Sequence, residues 1–277
     1  MKIAAIIGGN KLAEYLSIEL KNKNYKVYHL SRRFYKNKSF NKTIKIKSYN
    51  FRNLKKNLEI VKPDLIINLV SYTKKNLIKS MKINTILPIN LLKWSIENNI
   101  YLVLIGTAAE YGLVNKKKVS ETNSLKPNSV YGFTKSLQSL AISKFYKLYK
   151  NRILLFRIFN LSGDISNQNT IIGKVNNFIE KNKKTKKMKI LKLGDLSSMR
   201  DYIDIKKAAN LMVRLIKKNK YGIFNIGTGK ATLVRKMVSR LFVKYKKLSF
   251  VELNNKFHIN EILYSSADIK KIKKNLL

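Results

Sequence analysis

"KIAAIIGGNKLAEYLSIELKNK", residues 2–23, decides the fold. It opens on a continuous apolar run, turns through Gly8 and Gly9, and continues with Leu12, Tyr15, Leu16 and Leu20 at helical spacing. An apolar run without alternation reads as a strand buried on both faces, and apolar residues three and four apart line one face of a helix. The unit is therefore predicted as strand, glycine turn, helix. Glycine at such a turn lets the backbone approach a pyrophosphate held at the positive helix N-terminus. The loop departs from a full G-x-x-G-x-x-G: it is about one residue short, and Ala13 stands where a last glycine would. A plain strand–turn–helix accounts for the stretch almost as well as a phosphate loop, so the rest of the chain has to decide.

The same alternation recurs downstream. Residues 26–33, 43–50, 64–70 (introduced by Pro63), 100–106 and 152–160 read as strands, the second of these weaker. Residues 84–99 and 136–150 read as helices, with Pro88 a local irregularity in the first. Buried strands separated by helices mean a parallel sheet covered on both faces, a Rossmann-type doubly wound α/β fold. Beyond residue 160 the strict alternation stops. Residues 169–184 read as a helix, 187–195 as a strand ending in a turn, 221–229 as one more sheet strand, and a helix follows from near Thr232. The expected organisation is a dinucleotide-binding domain over 1–160 and a smaller, partly interleaved substrate-binding region over 161–277. Residues near 201–230 return to the sheet. There is no internal repeat and no low-complexity linker.

Composition excludes several chemistries. The 277 residues contain no cysteine, hence no disulfide framework, no thiolate nucleophile and no Cys/His zinc cluster. His29 and His258 are the two histidines, far apart, and no metal site is expected. The apolar start is too short for a signal segment, and no stretch is long enough to span a bilayer, so a soluble, cytoplasmic protein is expected. The net charge of +43 has two readings. One is a binder of nucleic acid or of an anionic surface. The other is lysine enrichment of every exposed face, in keeping with the joint abundance of Lys, Asn and Ile. Lysines run from Lys2 to Lys274 without a basic stripe interleaved with aromatics, so no specific nucleic-acid partner is expected.

Three further stretches carry chemistry. "HLSRR" (29–33) closes the second strand, where an acid would bind a ribose 2′-hydroxyl and a basic group would accept a 2′-phosphate. Ser31 holds the acid's position and Arg32 and Arg33 follow, which favours NADP(H) and leaves NAD possible. "LIGTAAEYG" (104–112) places Thr107 at the C-terminal end of the fifth strand, the ligand side of such a sheet. "SVYGFTKS" (129–136) sets Tyr131 and Lys135 four apart on one helix face, where the ammonium would favour the phenolate. Thr107, Tyr131 and Lys135 thus form one candidate constellation of hydroxyl, proton donor and pKa-lowering cation.

"GTAAEYG", "PNSVYGFTK", "FRIFNLSGD", "GDLSSMRDYID" and "FNIGTG" occur in this order. Together they resemble the extended short-chain dehydrogenase/reductase family (NAD-dependent epimerases and dehydratases) that acts on nucleotide sugars. The resemblance covers almost the whole chain and weakens after about residue 250. It implies that Thr107 is the catalytic hydroxyl, Tyr131 the acid/base, and Lys135 its partner, which also holds the nicotinamide ribose. It implies that Asn160 and Arg200 bind the substrate diphosphate or sugar, with Thr107, Ala108 and Ala109 alongside, and that Asn84 is a structural asparagine near the site. Gly8, Gly9, Asn10, Leu12, Ser31, Arg32, Arg33, Asn50, Leu69 and Val70 make up the implied cofactor site with Tyr131 and Lys135. The C-terminal segment 254–271 lacks the family's usual nucleotide-contacting arginine, with Lys256 or His258 as substitute. A homodimer is implied, paired through the helix carrying Tyr131 and the one before it.

The resemblance also narrows the reaction. Members that perform 4,6-dehydration place an acid one or two positions after the Ser/Thr, where this chain has Ala108 and Ala109. Glu110, one further on, should face the other way if the segment is extended. A 4,6-dehydratase is therefore not expected. Two readings stay open: an NADPH-dependent reductase of a nucleotide-linked (GDP- or dTDP-) 4-keto-6-deoxy sugar, and an NAD-dependent 4-epimerase. The Ser31-Arg32-Arg33 sequence favours the reductase, and "GTAAEYG" with "GDLSSMRDYID" most resembles reductases of GDP-4-keto-6-deoxy-mannose. A third reading is a catalytically lapsed Rossmann protein that binds RNA or an anionic surface.

Overall fold

Alternate residues of the first strand go to opposite cores. Ala4 and Ile6 pack with Leu12, Leu16 and Leu20 on one side, while Ala5 and Ile7 pack with Leu54, Leu58 and Leu91 on the other. A strand sandwiched in this way must be apolar at every position. The computed structural model describes residues 1–9, 11–33, 37–114, 118–149, 153–163, 170–253 and 262–276. Seven strands form the central sheet: β1 (Lys2–Ile7), β2 (Tyr25–Ser31), β3 (Lys42–Lys45), β4 (Leu65–Asn68), β5 (Tyr101–Thr107), β6 (Ile153–Ile158) and β10 (Gly222–Ile226). Their order is β3-β2-β1-β4-β5-β6-β10, and every pairing is parallel. The order reverses between β1 and β4, so the crevice for a ligand opens over the C-terminal ends of those strands. This is the expected Rossmann-type sheet, with a seventh strand supplied by residues 222–226.

Helix α1 (Lys11–Lys21) follows β1 and packs against α7 (Ile205–Lys217) on one face. On the other face lie α2 (Phe51–Val61), α4 (Leu87–Glu97) and α5 (Val130–Tyr149). α2 has no counterpart in the sequence reading; its buried residues are Leu54, Leu58 and Val61, and the expected strand over 43–50 shortens to β3 because Asn50 caps this helix. The expected helix over 84–99 starts earlier. It runs as α3 (Leu77–Met81), a π-helical turn (Lys82–Ile86) and α4. Leu87 N–H donates to Lys82 O, five residues back. Pro88 has no N–H for the carbonyl one turn earlier, which favours the looser winding just before it. α5 begins at Val130, so the helical turn of Tyr131 and Lys135 is continuous with the helix read over 136–150, and Ser129 Oγ accepts Gly132 N–H at 3.1 Å.

The remaining described residues build two smaller sheets. β9 (Met199–Asp204) pairs with β7 (Asn160–Ser162), β11 (Ala231–Leu233) and β13 (Tyr264–Ser265). β8 (Lys189–Leu193) pairs with β12 (Leu248–Glu252). α6 (Ile171–Asn182) and α8 (Val234–Phe242) enclose a separate core of Ile172, Val175, Ile179, Val238 and Phe242. α9 (Lys270–Leu276) closes the described chain against β10.

Candidate active site

The glycine turn after β1 takes a form that other residues would resist. Gly8 and Gly9 have φ of +67° and +82°, the left-handed region that side chains disfavour. A Cβ on Gly9 would lie 2.5 Å from Leu69 Cδ1, and one on Gly8 2.8 Å from Val70 Cγ2. Leu69 and Val70 thus pack directly under the turn. Leu12 is buried in the first turn of α1, an 11-residue helix that starts two residues after the glycine turn. A bare backbone beside a helix N-terminus fits the pyrophosphate of a dinucleotide. Asn10 lies outside the described residues.

The end of β2 is arranged around an aromatic ring. Ser31 is buried, and its Oγ accepts the Arg33 N–H at 3.2 Å. Arg32 and Arg33 are exposed. The Arg32 guanidinium lies 4.9 Å from the centroid of the Tyr49 ring, a cation–π contact. Tyr49 Oη is also 3.4 Å from where a Gly8 Cβ would stand, so the ring bridges the glycine turn and the arginine. Asn50, next in sequence, accepts the Asn53 N–H at 2.9 Å as the N-cap of α2. His29, whose ring stacks on Phe40, contacts Gly8 O at 3.1 Å and supports the turn from below. Among the described residues no cluster of His, Cys, Asp and Glu could hold a metal ion.

At the end of β5 the chain enters a 3₁₀ turn (Ala108–Glu110). Thr107 caps it, its Oγ1 accepting Ala109 N–H at 3.3 Å. The close seat of α5 on this turn depends on Gly132, because a Cβ there would lie 2.4 Å from Ala109 O. That approach sets the Tyr131 phenol beside the Thr107 hydroxyl and the hydroxyl of Ser71, just past β4. Ser71 escaped the sequence reading; a hydroxyl immediately beyond a strand's C-terminal end is the signal that could have found it.

Lys135 is buried, 2% exposed. Its Nζ donates to Ile105 O at 2.7 Å and to Gln138 Oε1 at 3.3 Å. Burial pulls its pKa down to about 8, opposed by the Glu110 carboxylate. The expected lowering of the Tyr131 pKa is not found. The phenol is pushed up to about 12, by burial first and then by Glu110, against the hydrogen bonds from Thr107 and Ser71. Burial of the phenol thus outweighs any help from Lys135, whose ammonium is turned to Ile105 O and Gln138 Oε1.

Glu110 does face away from the opening, through the 3₁₀ turn and not through an extended segment. It is completely buried and bonded to Thr107 N, Arg157 and Ser139. Ala108 and Ala109 stay partly exposed beside Thr107. Ile158 lies in register with Thr107, and two residues on, Asn160 opens β7 and donates to Asp201 O at 3.1 Å. Arg200 precedes Asp201 on the neighbouring β9, with Nη1 donating to Met199 O at 3.0 Å. The fold therefore brings Asn160 and Arg200 together on adjacent strands. Lys256 and His258 lie outside the described residues.

A parallel sheet in this order, with Thr, Tyr and Lys gathered at the end of β5, defines a nucleotide-binding enzyme architecture. Residues 6–227 match the NAD dependent epimerase/dehydratase family, and the chain belongs to that family. A curated relative, GDP-6-deoxy-D-talose 4-dehydrogenase of Aggregatibacter actinomycetemcomitans, is 32% identical over 168 residues, 58% of this chain and 54% of that protein. The aligned stretch thus spans little more than half of that relative. The Thermus thermophilus UDP-glucose 4-epimerase in complex with NAD superposes with a TM-score of 0.82 at 17% identity, over 98% of this chain and 92% of that one. The Methanobrevibacter ruminantium UDP-N-acetylglucosamine 4-epimerase in complex with UDP-N-acetylmuramic acid gives 0.81 at 18%, over 100% and 92%. At such identities the likeness is one of fold. Among the described residues no helix is long and apolar enough to cross a membrane.

Proposed function

We propose that this chain is an NADPH-dependent reductase of a nucleotide-linked 4-keto-6-deoxy sugar, carried by GDP or dTDP. The observation that carries the reading is the juxtaposition of the Thr107 hydroxyl and the Tyr131 phenol beside two alanines. The pair offers a hydroxyl and a phenol to one carbonyl oxygen, while Ala108 and Ala109 offer no acid or base for removing C5 or C6 protons. Reductase is favoured over 4-epimerase by the Arg32 guanidinium at the β2 edge, where no carboxylate repels a 2′-phosphate. The name of the curated relative supports the same chemistry, since oxidation at C4 of a 6-deoxy sugar is the reverse of 4-keto reduction.

The reduced dinucleotide supplies the hydride when bound. Gly8, Gly9 and Leu12 hold its pyrophosphate end, Arg32 and Arg33 its 2′-phosphate, with Asn50, Leu69 and Val70 flanking the base and ribose. Lys135 orients the nicotinamide ribose. Thr107 donates to the C4 carbonyl oxygen, and Tyr131, protonated at neutral pH, delivers the proton to it. Asn160 and Arg200 hold the sugar diphosphate, for which a guanidinium fork is suited. Exposed Leu77, Ile78, Ile86, Phe133 and Leu140 on α3, the π-turn and α5 support a homodimer paired through these helices.

Titration with NADPH and with NADH, each at low and high salt, tests the cofactor. Salt-resistant binding of NADPH with much weaker NADH is expected, and preference for NADH favours the epimerase. Turnover of a GDP-4-keto-6-deoxy sugar by Tyr131→Phe at the unmodified rate would defeat the assignment.

A further inference from the structure

Beneath the turn that carries Thr107 lies a charged side chain with no task in the mechanism above. Glu110 Oε1 accepts the Thr107 backbone N–H at 2.7 Å. Its Oε2 accepts Arg157 Nε at 2.9 Å and the Ser139 hydroxyl. Burial raises the Glu110 pKa and outweighs its partners, yet each partner donates and one of them is a guanidinium, the donor set of an ionised acceptor. Arg157 is equally enclosed and continues to the Tyr111 hydroxyl at 3.1 Å and Glu121 O at 3.2 Å. Strand β5 is cut back to admit the carboxylate: a Cβ on Gly106 would stand 2.5 Å from Glu110 Oε1. Replacing a buried ion pair by well-packed apolar residues is often neutral or stabilising. Stability is therefore a weak reason for the pair, and its position beside Thr107 a stronger one.

The charged and polar groups around it come chiefly from α5 and β6, with Lys271 of α9 acting on Arg157. Lys135, Ser139 and Tyr131 lie on α5, Arg157 on β6, and Tyr111 and Glu121 are reached through Arg157. The carboxylate favours the charged form of Lys135 and the neutral form of Tyr131. Both are the states in which a tyrosine donates a proton beside a cation.

We propose that Glu110 is a positioning residue of this site: it fixes the Thr107 backbone at the end of β5 and supplies the buried negative charge that sets Tyr131 up as a proton donor and Lys135 as its cation. The use of that donor rests on the ketoreductase reading; the charge coupling does not. The test is an NMR titration of lysine ¹³Cε signals, with Lys135 assigned by Lys135→Met, in the unmodified protein and in Glu110→Gln. The Lys135 midpoint is expected to fall by about one pH unit in the variant. On the keto sugar, kcat is expected to fall roughly tenfold or more with KM little changed. A folded Glu110→Gln with an unmoved Lys135 midpoint overturns the proposal. Should that variant fail to fold, Glu110→Asp keeps the charge and draws it off the Thr107 N–H; kcat lowered with the Lys135 midpoint held is then expected, and an unchanged kcat overturns the proposal. If the unmodified protein reduces no 4-keto sugar, the ketoreductase reading falls, and the Lys135 midpoint still decides the role of Glu110.

Discussion

Asn84 and Thr134, 50 residues apart, are joined by a 3.0 Å hydrogen bond from Asn84 Nδ2 to Thr134 Oγ1 in the protein interior. The same amide donates to Tyr72 O and accepts Tyr72 N–H, both at 2.8 Å. Thr85 adds a bond from its hydroxyl to Thr134 O at 2.8 Å. One buried side chain thus ties the segment holding Ser71 to the helix holding Tyr131. Asn84→Ala would strand the Tyr72 backbone groups and is expected to cost about 1–3 kcal/mol. Urea denaturation reads the loss, and kcat should fall with it as Ser71 and Tyr131 drift apart.

Lys135 gives the protein a signature in alkali. Its folded pKa of about 8 lies below the ordinary 10.5, so between those values the unfolded chain binds more protons and this group makes stability rise with pH. Tyr131 acts oppositely: with a folded pKa of about 12 against 10.0, it makes stability fall as pH climbs between them. Comparing urea midpoints from pH 7.5 to 10 for the unmodified protein and Lys135→Met should show the rise flattened in the variant.

Arg32 is expected to discriminate between cofactors. Arg32→Ala should weaken NADPH by roughly tenfold, the loss of one charge-assisted contact of about 1.4 kcal/mol, and leave NADH nearly unchanged. Tyr49→Leu, which removes the ring beneath the guanidinium, should move NADPH affinity in the same direction. Fluorescence titration of both cofactors checks the pair, and equal effects on NADPH and NADH would speak against a 2′-phosphate contact.

Gly132 sets the distance between donor and hydroxyl. Gly132→Ala forces α5 off the 3₁₀ turn, since the new methyl would sit 2.4 Å from Ala109 O. The expected result is kcat lowered about a hundredfold by misplacement of Tyr131. Cofactor affinity should change far less, because Gly8, Gly9 and Arg32 lie on other elements. Steady-state kinetics alongside NADPH titration separates the two.

The inner strands were legible because burial on both faces leaves them few polar positions, as in "IIGG" and "YLVLIG". Helix α2 was not, because only Leu54, Leu58 and Val61 are buried in a run of Lys, Asn and Arg, so the apolar stripe is thin. Thr107, Tyr131 and Lys135 could be picked out by motif and spacing, but the direction in which Lys135 points could not. That direction depends on Ile105 O and on Glu110, and the partner of Glu110, Arg157, is 47 residues further along. A charge that is silenced by a distant partner leaves no local trace. Asn84 was legible as a structural residue, whereas the π-turn that aims it was hidden by ordinary helical periodicity on both sides.

That π-turn has a genetic consequence. Five residues, Lys82–Ile86, occupy a winding that a regular helix would fill with fewer, so the gene carries what amounts to one surplus codon there. Deleting a single codon in this window would restore an unbroken α-helix from Leu77 to Glu97 and improve its local hydrogen bonding. It would also turn the residues of the widened turn itself, Asn84 among them, about the helix axis. Asn84 would then no longer meet Thr134. Length changes at this position should therefore be among the least tolerated in the protein, even though they mend its backbone.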